Sequence, residues 1–255
     1  MTAVVVSGAG TGIGRAVSAR LVADGFHVIA VGRWPEPLEK LASDLAPHVD
    51  IVGADLATVP GAGAVAECVR ASVHGCSGVI AAAGGLAPGG GAAAVGGPGG
   101  ASGSVLDGVR RDWLASFESN VLTAVLLVEA LREEIERDRG RVVLFSSVAA
   151  LRGSGGGAYG AVKAALHGWL YDLARELGAH GGTANVVAPG FVPDTEFWAG
   201  RLSAGSRRER AAQTLVGREG TPDEVASLIS WLLGPDGGWM TGQVLSPNGG
   251  VALGR

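Results

Sequence analysis

Lysine is almost missing from this chain. Of its 20 Lys and Arg residues only Lys40 and Lys163 are lysine, and there are just two tyrosines, two cysteines and three asparagines in 255 residues. Each scarcity excludes something. Cys68 and Cys76 have neither the spacing of a disulfide framework nor that of a metal site, so reduced thiols and no bound metal are expected. No stretch reaches eighteen uninterrupted apolar residues, and strand-like sequence begins at Thr2, which leaves no room for a signal peptide. A cytoplasmic protein without membrane attachment is the expectation. The net charge of −4 is spread along the chain rather than gathered into a basic patch, which argues against a nucleic-acid surface. Neither an internal repeat nor an inter-domain linker is visible, so residues 1–255 are expected to form one domain. A chain of this length buries roughly three-quarters of its unfolded surface, enough for one core.

What the chain has in plenty is short β-branched and apolar runs. Ala3–Val6, His27–Val31, Val49–Val52, Gly78–Ala82, Arg141–Phe145, Thr183–Val187 and Gln243–Leu245 are seven candidate strands. Helical patterns of ten or more residues separate them. Several runs are continuous rather than alternating, as strands covered on both faces require. The expected architecture is therefore α/β: a doubly wound parallel sheet of about seven strands with helices on both faces.

Two constellations carry chemistry. The first strand runs at once into Gly8, Gly10, Thr11, Gly12, Ile13 and Gly14, followed by helical spacing from Arg15 to Val22. Glycines at such a turn let backbone approach a pyrophosphate, and a helix N-terminus offers free N–H groups and a positive dipole. In a chain with 44 glycines only the placement after the first strand makes this specific. The second constellation is Tyr159 and Lys163, four residues apart and so on one face of a helix. An ammonium beside a phenol favours the phenolate, and lowering a tyrosine from about 10 to about 7 takes ~4 kcal/mol. The same spacing also fits an aromatic and a solvated amine on a helix surface.

Together the glycine turn and the Tyr-x-x-x-Lys pair resemble the short-chain dehydrogenase/reductase family, of the 3-oxoacyl-carrier-protein reductase or polyketide ketoreductase type. The match runs from Val4 to Gly250. The resemblance implies a Rossmann-type fold and a catalytic set of Asn120, Ser147, Tyr159 and Lys163. Motif alignment points to Ser147, whereas counting back from the tyrosine points to Ser146. Ser147 requires a one-residue deletion within Gly153–Gly157. Asn120 matches an asparagine that holds a water linking the lysine to solvent. Pro189-Gly190 with Val192 matches the turn covering the nicotinamide, and Thr195 the threonine that contacts its carboxamide. One departure stands out: the family's Asn-Asn-Ala-Gly is here Ala81-Ala82-Ala83-Gly84. Ala82, Ala83 and Gly84 keep the backbone approach to the cofactor, in a loop expected to be less restrained. Thr221, followed by Pro222 and two acidic residues, reads independently as a helix N-cap.

The second strand ends in Gly32-Arg33, where NAD-dependent relatives place an acidic residue that repels a 2′-phosphate. A guanidinium can pair with that phosphate and stack on adenine. The expected cofactor is thus NADP(H) rather than NAD(H), although Thr11 is not the basic residue some NADP-dependent relatives carry. Asp55 resembles the family's adenine-contacting aspartate, with Leu56 beside it.

The resemblance implies hydride transfer between nicotinamide and a small-molecule carbonyl substrate. Ser147 would hold the oxygen, and Tyr159 would give its proton. An NADPH-dependent ketone reductase acting on an apolar or polyketide-like substrate is the leading reading. A 3-oxoacyl-carrier-protein reductase, an alcohol dehydrogenase working oxidatively, and a cofactor-binding regulatory protein without turnover are the alternatives. Residues 84–104 are a lid or a tolerated insertion. Phe191, Phe197 and Trp198 can line an apolar pocket. Arg201, Arg207, Arg208 and Arg210 either meet a substrate anion or form a solvated helix face. The apolar helix that follows Tyr159 implies a homodimer or homotetramer.

Overall fold

The computed structural model describes residues 2–72, 74–86, 104–153 and 157–254. Its centre is a seven-stranded sheet in the order β3-β2-β1-β4-β5-β6-β7, with every neighbouring pair parallel. The strands are β1 (Ala3–Ser7), β2 (His27–Gly32), β3 (Val49–Gly53), β4 (Gly78–Ala81), β5 (Arg141–Phe145), β6 (Thr183–Val187) and β7 (Val244–Leu245). All seven sequence-predicted strands are present, with ends moved by a residue. Gln243 lies just outside β7, although its carbonyl still accepts from the Val186 amide.

The apolar runs have the cause expected of them. Along β1, Val5 faces one side and Val4 and Val6 the other, and all three are fully buried. On the Val5 side pack α3 (Val59–Ala71), α5 (Thr123–Ala130) and α8 (Tyr159–Ala179). On the Val4 side pack α1 (Gly12–Ala23), α2 (Pro35–Leu45) and α10 (Pro222–Leu233). A strand buried on both faces has no polar positions to alternate with. The remaining helices are α4 (Val105–Phe117), α6 (Arg132–Arg137), α7 (Ala149–Arg152) and α9 (Ala204–Ala212).

Three local features position the site. First, β1 pairs with β2 on one side and β4 on the other, so the chain reverses its winding there. A crevice opens at the carboxyl ends of strands at such a switch point. Second, α4 passes into α5 through a widened, π-helical turn over Glu118–Leu122, which carries Asn120. Such turns recur at functional sites. The combined helix Val105–Ala130 is long and apolar enough to cross a bilayer by length and composition alone, yet its widened turn and α5 pack on α8, α3 and β4. Third, Thr221 caps α10 as predicted: its hydroxyl accepts from the Glu224 amide while the Glu224 carboxylate accepts from the Thr221 amide.

Candidate active site

A cavity of about 1190 Å³ runs across the carboxyl ends of the central strands, from the glycine turn to Trp198 and Arg210. Its inner end is built by backbone. Gly8 and Gly12 hold positive φ values of 67° and 51°, which side chains disfavour. A Cβ at Gly14 would stand 2.1 Å from the Gly8 carbonyl oxygen, so only glycine lets α1 start this close to β1. Thr11 precedes α1 without a side-chain cap, and the first turn carries no acidic residue. The helix therefore presents unsatisfied N–H groups and the positive end of its dipole to the cavity. That donor set fits a pyrophosphate.

At the centre stand Ser147, Tyr159 and Lys163. Tyr159 is the first residue of α8, and its phenol hydrogen-bonds to the Ser147 hydroxyl. Ser147 follows the end of β5 and also accepts from the Ala149 amide at 3.2 Å. The adjacent Ser146 turns away: its hydroxyl donates to the Lys163 carbonyl at 3.0 Å and lies 2.8 Å from His167 Nε2. The two candidate serines thus have different surroundings, and only Ser147 meets the phenol. The deletion supposed within Gly153–Gly157 centres on residues 154–156, outside the described residues.

Lys163 is buried, and its Nζ donates to the Phe145 carbonyl at 2.9 Å. Burial lowers its pKa from 10.5 to about 8. Burial likewise pushes the Tyr159 phenol up from 10.0 to about 12, only partly offset by the Ser147 hydrogen bond. The expectation that Lys163 holds the phenol low is therefore not met. The desolvation penalty on a buried phenolate outweighs the lysine, whose ammonium is aimed at the Phe145 carbonyl.

Asn120 is buried behind Gly84 rather than in the cavity wall. A Cβ at Gly84 would come within 2.7 Å of Asn120 Oδ1 and 3.1 Å of Lys163 Nζ. The Asn120 amide grips Gly85 twice, accepting from its N–H at 3.0 Å and donating to its carbonyl at 2.8 Å. The Ser7 hydroxyl accepts from the Ala83 amide at 2.9 Å. The loop that lacks the usual asparagines is therefore not loose; it is held from β1 and from the widened turn. Of the segment expected to form a lid, residues 87–103 lie outside the described residues.

The other predicted residues divide. Ala82, Ala83, Gly84, Pro189, Gly190, Val192 and Thr195 all reach the cavity. Thr195 and Glu196 close over the glycine turn, within 3.1 and 3.4 Å of a Cβ built on Gly12. Gly10 instead faces Pro37 of α2, and Leu56 is buried in the core. Neither is among the residues that line the cavity. Arg33 and Asp55 are exposed beyond the cavity, at the ends of β2 and β3. The Arg33 guanidinium lies 5.9 Å from the Trp34 ring. Reading the sequence missed Ser7, His167, Arg152 and Gly85. His167 sits one turn beyond Lys163, so extending the Tyr–Lys spacing by four residues was the signal that could have found it.

These two buried groups impose opposite pH trends on stability. Lys163 binds its proton more weakly folded than unfolded, so stability rises as pH climbs from about 8 towards 10.5. Tyr159 holds its proton more tightly folded, so stability falls between 10.0 and about 12. Urea midpoints measured from pH 7 to 10 are expected to rise for the parent relative to Lys163→Met, the gap moving in the parent's favour above pH 8. A gap that stays constant with pH is the contrary result.

The chain matches a family model described as enoyl-(acyl carrier protein) reductase over residues 8–252. It is 32% identical over 262 residues to the short-chain reductase protein NovJ of Streptomyces niveus, covering 96% of this chain and 92% of that one. It is 30% identical over 252 residues to the 3-oxoacyl-[acyl-carrier-protein] reductase FabG of Salmonella typhimurium, covering 98% and 96%. Nodulation protein G of Rhizobium meliloti is 31% identical over the same length, with the same coverage. A glycine turn at the switch point, a tyrosine–lysine pair on one helix and similarity along nearly the whole length agree: the chain belongs to the short-chain dehydrogenase/reductase family of oxidoreductases.

Proposed function

We propose that the protein reduces a ketone to a secondary alcohol with NADPH, taking an apolar or polyketide-like substrate. The observation that carries this reading is the contact of the Ser147 hydroxyl with the Tyr159 phenol, beside buried Lys163, in the cavity that begins at the α1 N-terminus. Bound NADPH supplies the hydride. The chain's own residues do the rest. Ser147 donates a hydrogen bond to the carbonyl oxygen, and Tyr159 passes its proton to that oxygen as negative charge develops there. A phenol pushed up to about 12 holds its proton at neutral pH, the form that reduction requires. Lys163, with a pKa near 8, is the group from which the phenolate is reprotonated, and Asn120, which faces it across Gly84, anchors the water in that path. Phe197 packs 5.6 Å from the Tyr159 ring and supplies the apolar wall.

Tyr159→Phe is expected to abolish turnover of a ketone panel, followed by NADPH absorbance, while cofactor binding stays within a few-fold. Only the proton donor is lost. Turnover within tenfold of the parent contradicts the role. Ser147→Ala should cost far more rate than Ser146→Ala, and the reverse order would reassign the serine.

NADP(H) fits the adenosine end. Gly32 leaves no carboxylate to repel a 2′-phosphate, and the exposed Arg33 guanidinium packs against the Trp34 ring with its N–H donors open to solvent. A charge-assisted hydrogen bond contributes roughly 1.5–3 kcal/mol, so Arg33→Ala should narrow the NADPH preference by ten- to a hundredfold, mainly through cofactor affinity. Equal efficiency of the parent with NADPH and NADH refutes this assignment.

A second copy of the chain is the proposed partner. On α8 the inward positions Leu166, Leu170, Leu173 and Leu177 are fully buried, yet Ala161, Ala165, Gly168 and Tyr171 remain exposed. On α4, Val109, Trp113 and Phe117 are exposed at 48%, 47% and 40%. Small residues on one helix beside apolar ones on another suit a symmetric helical interface. Light scattering at micromolar concentration should give a dimer or tetramer; a monomer mass is the contrary result.

A further inference from the structure

The outer part of the cavity is lined by three arginines, Arg152, Arg201 and Arg210, that pair with no carboxylate among the described residues. Arg210, on α9, lies with its guanidinium carbon 4.8 Å from the Trp198 ring centre and 5.9 Å from that of Phe191. Arg201 donates to the Phe197 carbonyl at 3.3 Å, and Arg152, at the end of α7, to the Gln213 side-chain oxygen at 3.2 Å. Each contact uses a fraction of the five donors that a guanidinium carries. Two neighbouring arginines are committed differently. Arg207 pairs with Asp194 and Glu219, and Arg218 pairs with Glu224. The carboxylate among the described lining residues, Glu196, is turned to Gly12 at the other end.

We propose that Arg152, Arg201 and Arg210 form a subsite for one anion, a carboxylate or a phosphate, carried by the carbonyl substrate itself. The inference rests on the reductase reading of the same cavity and names the class of substrate it takes: a ketone at one end, an apolar middle and a negative charge at the other. The path is marked by contacts. Tyr159 touches Phe197 at 5.6 Å, Phe197 touches Trp198 at 5.0 Å, and Trp198 carries Arg210. Three ring contacts thus lead from the reacting phenol to the guanidinium. Cation–π contact with the Trp198 and Phe191 rings, which stand at 79° to each other, holds the Arg210 guanidinium without using up its N–H donors, which suit a carboxylate or phosphate.

Two sources of the anion are possible, a free keto acid or the phosphate of a pantetheine arm, and the test separates them. Calorimetric binding to the free protein compares aryl oxo acids of increasing chain length with their methyl esters, and acetoacetyl-pantetheine with and without its 4′-phosphate. In at least one pair the anionic member should bind about tenfold tighter at low salt, as expected of charge-assisted hydrogen bonds shared with solvent. Arg210→Gln should remove most of that preference, and 0.5 M salt should shrink it. A preference in the acid pairs identifies a carboxylate substrate; one confined to the pantetheine pair identifies a carrier-derived phosphate. Equal binding within every pair, or a preference untouched by Arg210→Gln, overturns the subsite. Turnover of the neutral esters is measured alongside: esters reduced without any anion preference remove the subsite and leave the reductase reading standing. Anion preference without turnover of any ketone does the opposite.

Discussion

The centre of this protein depends on keeping one ammonium group out of water. Lys163 is almost wholly buried, and burial works against its charge. The Phe145 carbonyl, at the last residue of β5, accepts from Nζ at 2.9 Å, while the hydroxyl of the next residue, Ser146, donates back to the Lys163 carbonyl. This reciprocal pair ties the strand end to the helix at the point where Ser147 and Tyr159 must meet. His167 completes it by contacting Ser146 from the following helical turn. A long flexible side chain and a strand terminus, each mobile alone, become one rigid corner.

Around that corner the cavity is built in two ways. Its inner half is backbone: the glycine turn, the uncapped start of α1, and Gly190, where a Cβ would stand 2.6 Å from the Asn248 Cα. Such surfaces recognise what every dinucleotide shares. Its outer half is side chains from residues 191–213 together with Arg152, with aromatic rings on and near a short 3-10 turn and arginines around them. Substitutions there alter the lining without touching the sheet. The division separates a general function from a particular one along the length of a single cavity.

Much of this was legible in the sequence, for identifiable reasons. The strands announced themselves because a sheet covered on both faces needs continuous apolar runs, and β1 and β2 are buried throughout or nearly so. The Tyr159–Lys163 spacing stated a shared helix face, and α8 begins at Tyr159. What stayed hidden depends on contacts between distant segments. Nothing local says that Ser146 would turn to His167 and Ser147 to Tyr159, since neighbouring residues at a strand end simply point opposite ways. Replacement of two asparagines by alanines suggested a loosened loop, because the groups that hold it, the Ser7 hydroxyl and the Asn120 side-chain amide, lie 76 and 35 residues away from the groups they bind. The direction of the tyrosine shift was misread for a related cause: spacing reveals a neighbouring cation, but not the cost of burial that opposes it.

The position of Thr195 and Glu196 over Gly12 has a kinetic side. A phosphate seated on the α1 N-terminus would lie beside these two residues. Where a covering segment has to move for a ligand to pass, the observed association rate levels off at high ligand concentration instead of rising in proportion. The same cover would then slow departure as well as arrival.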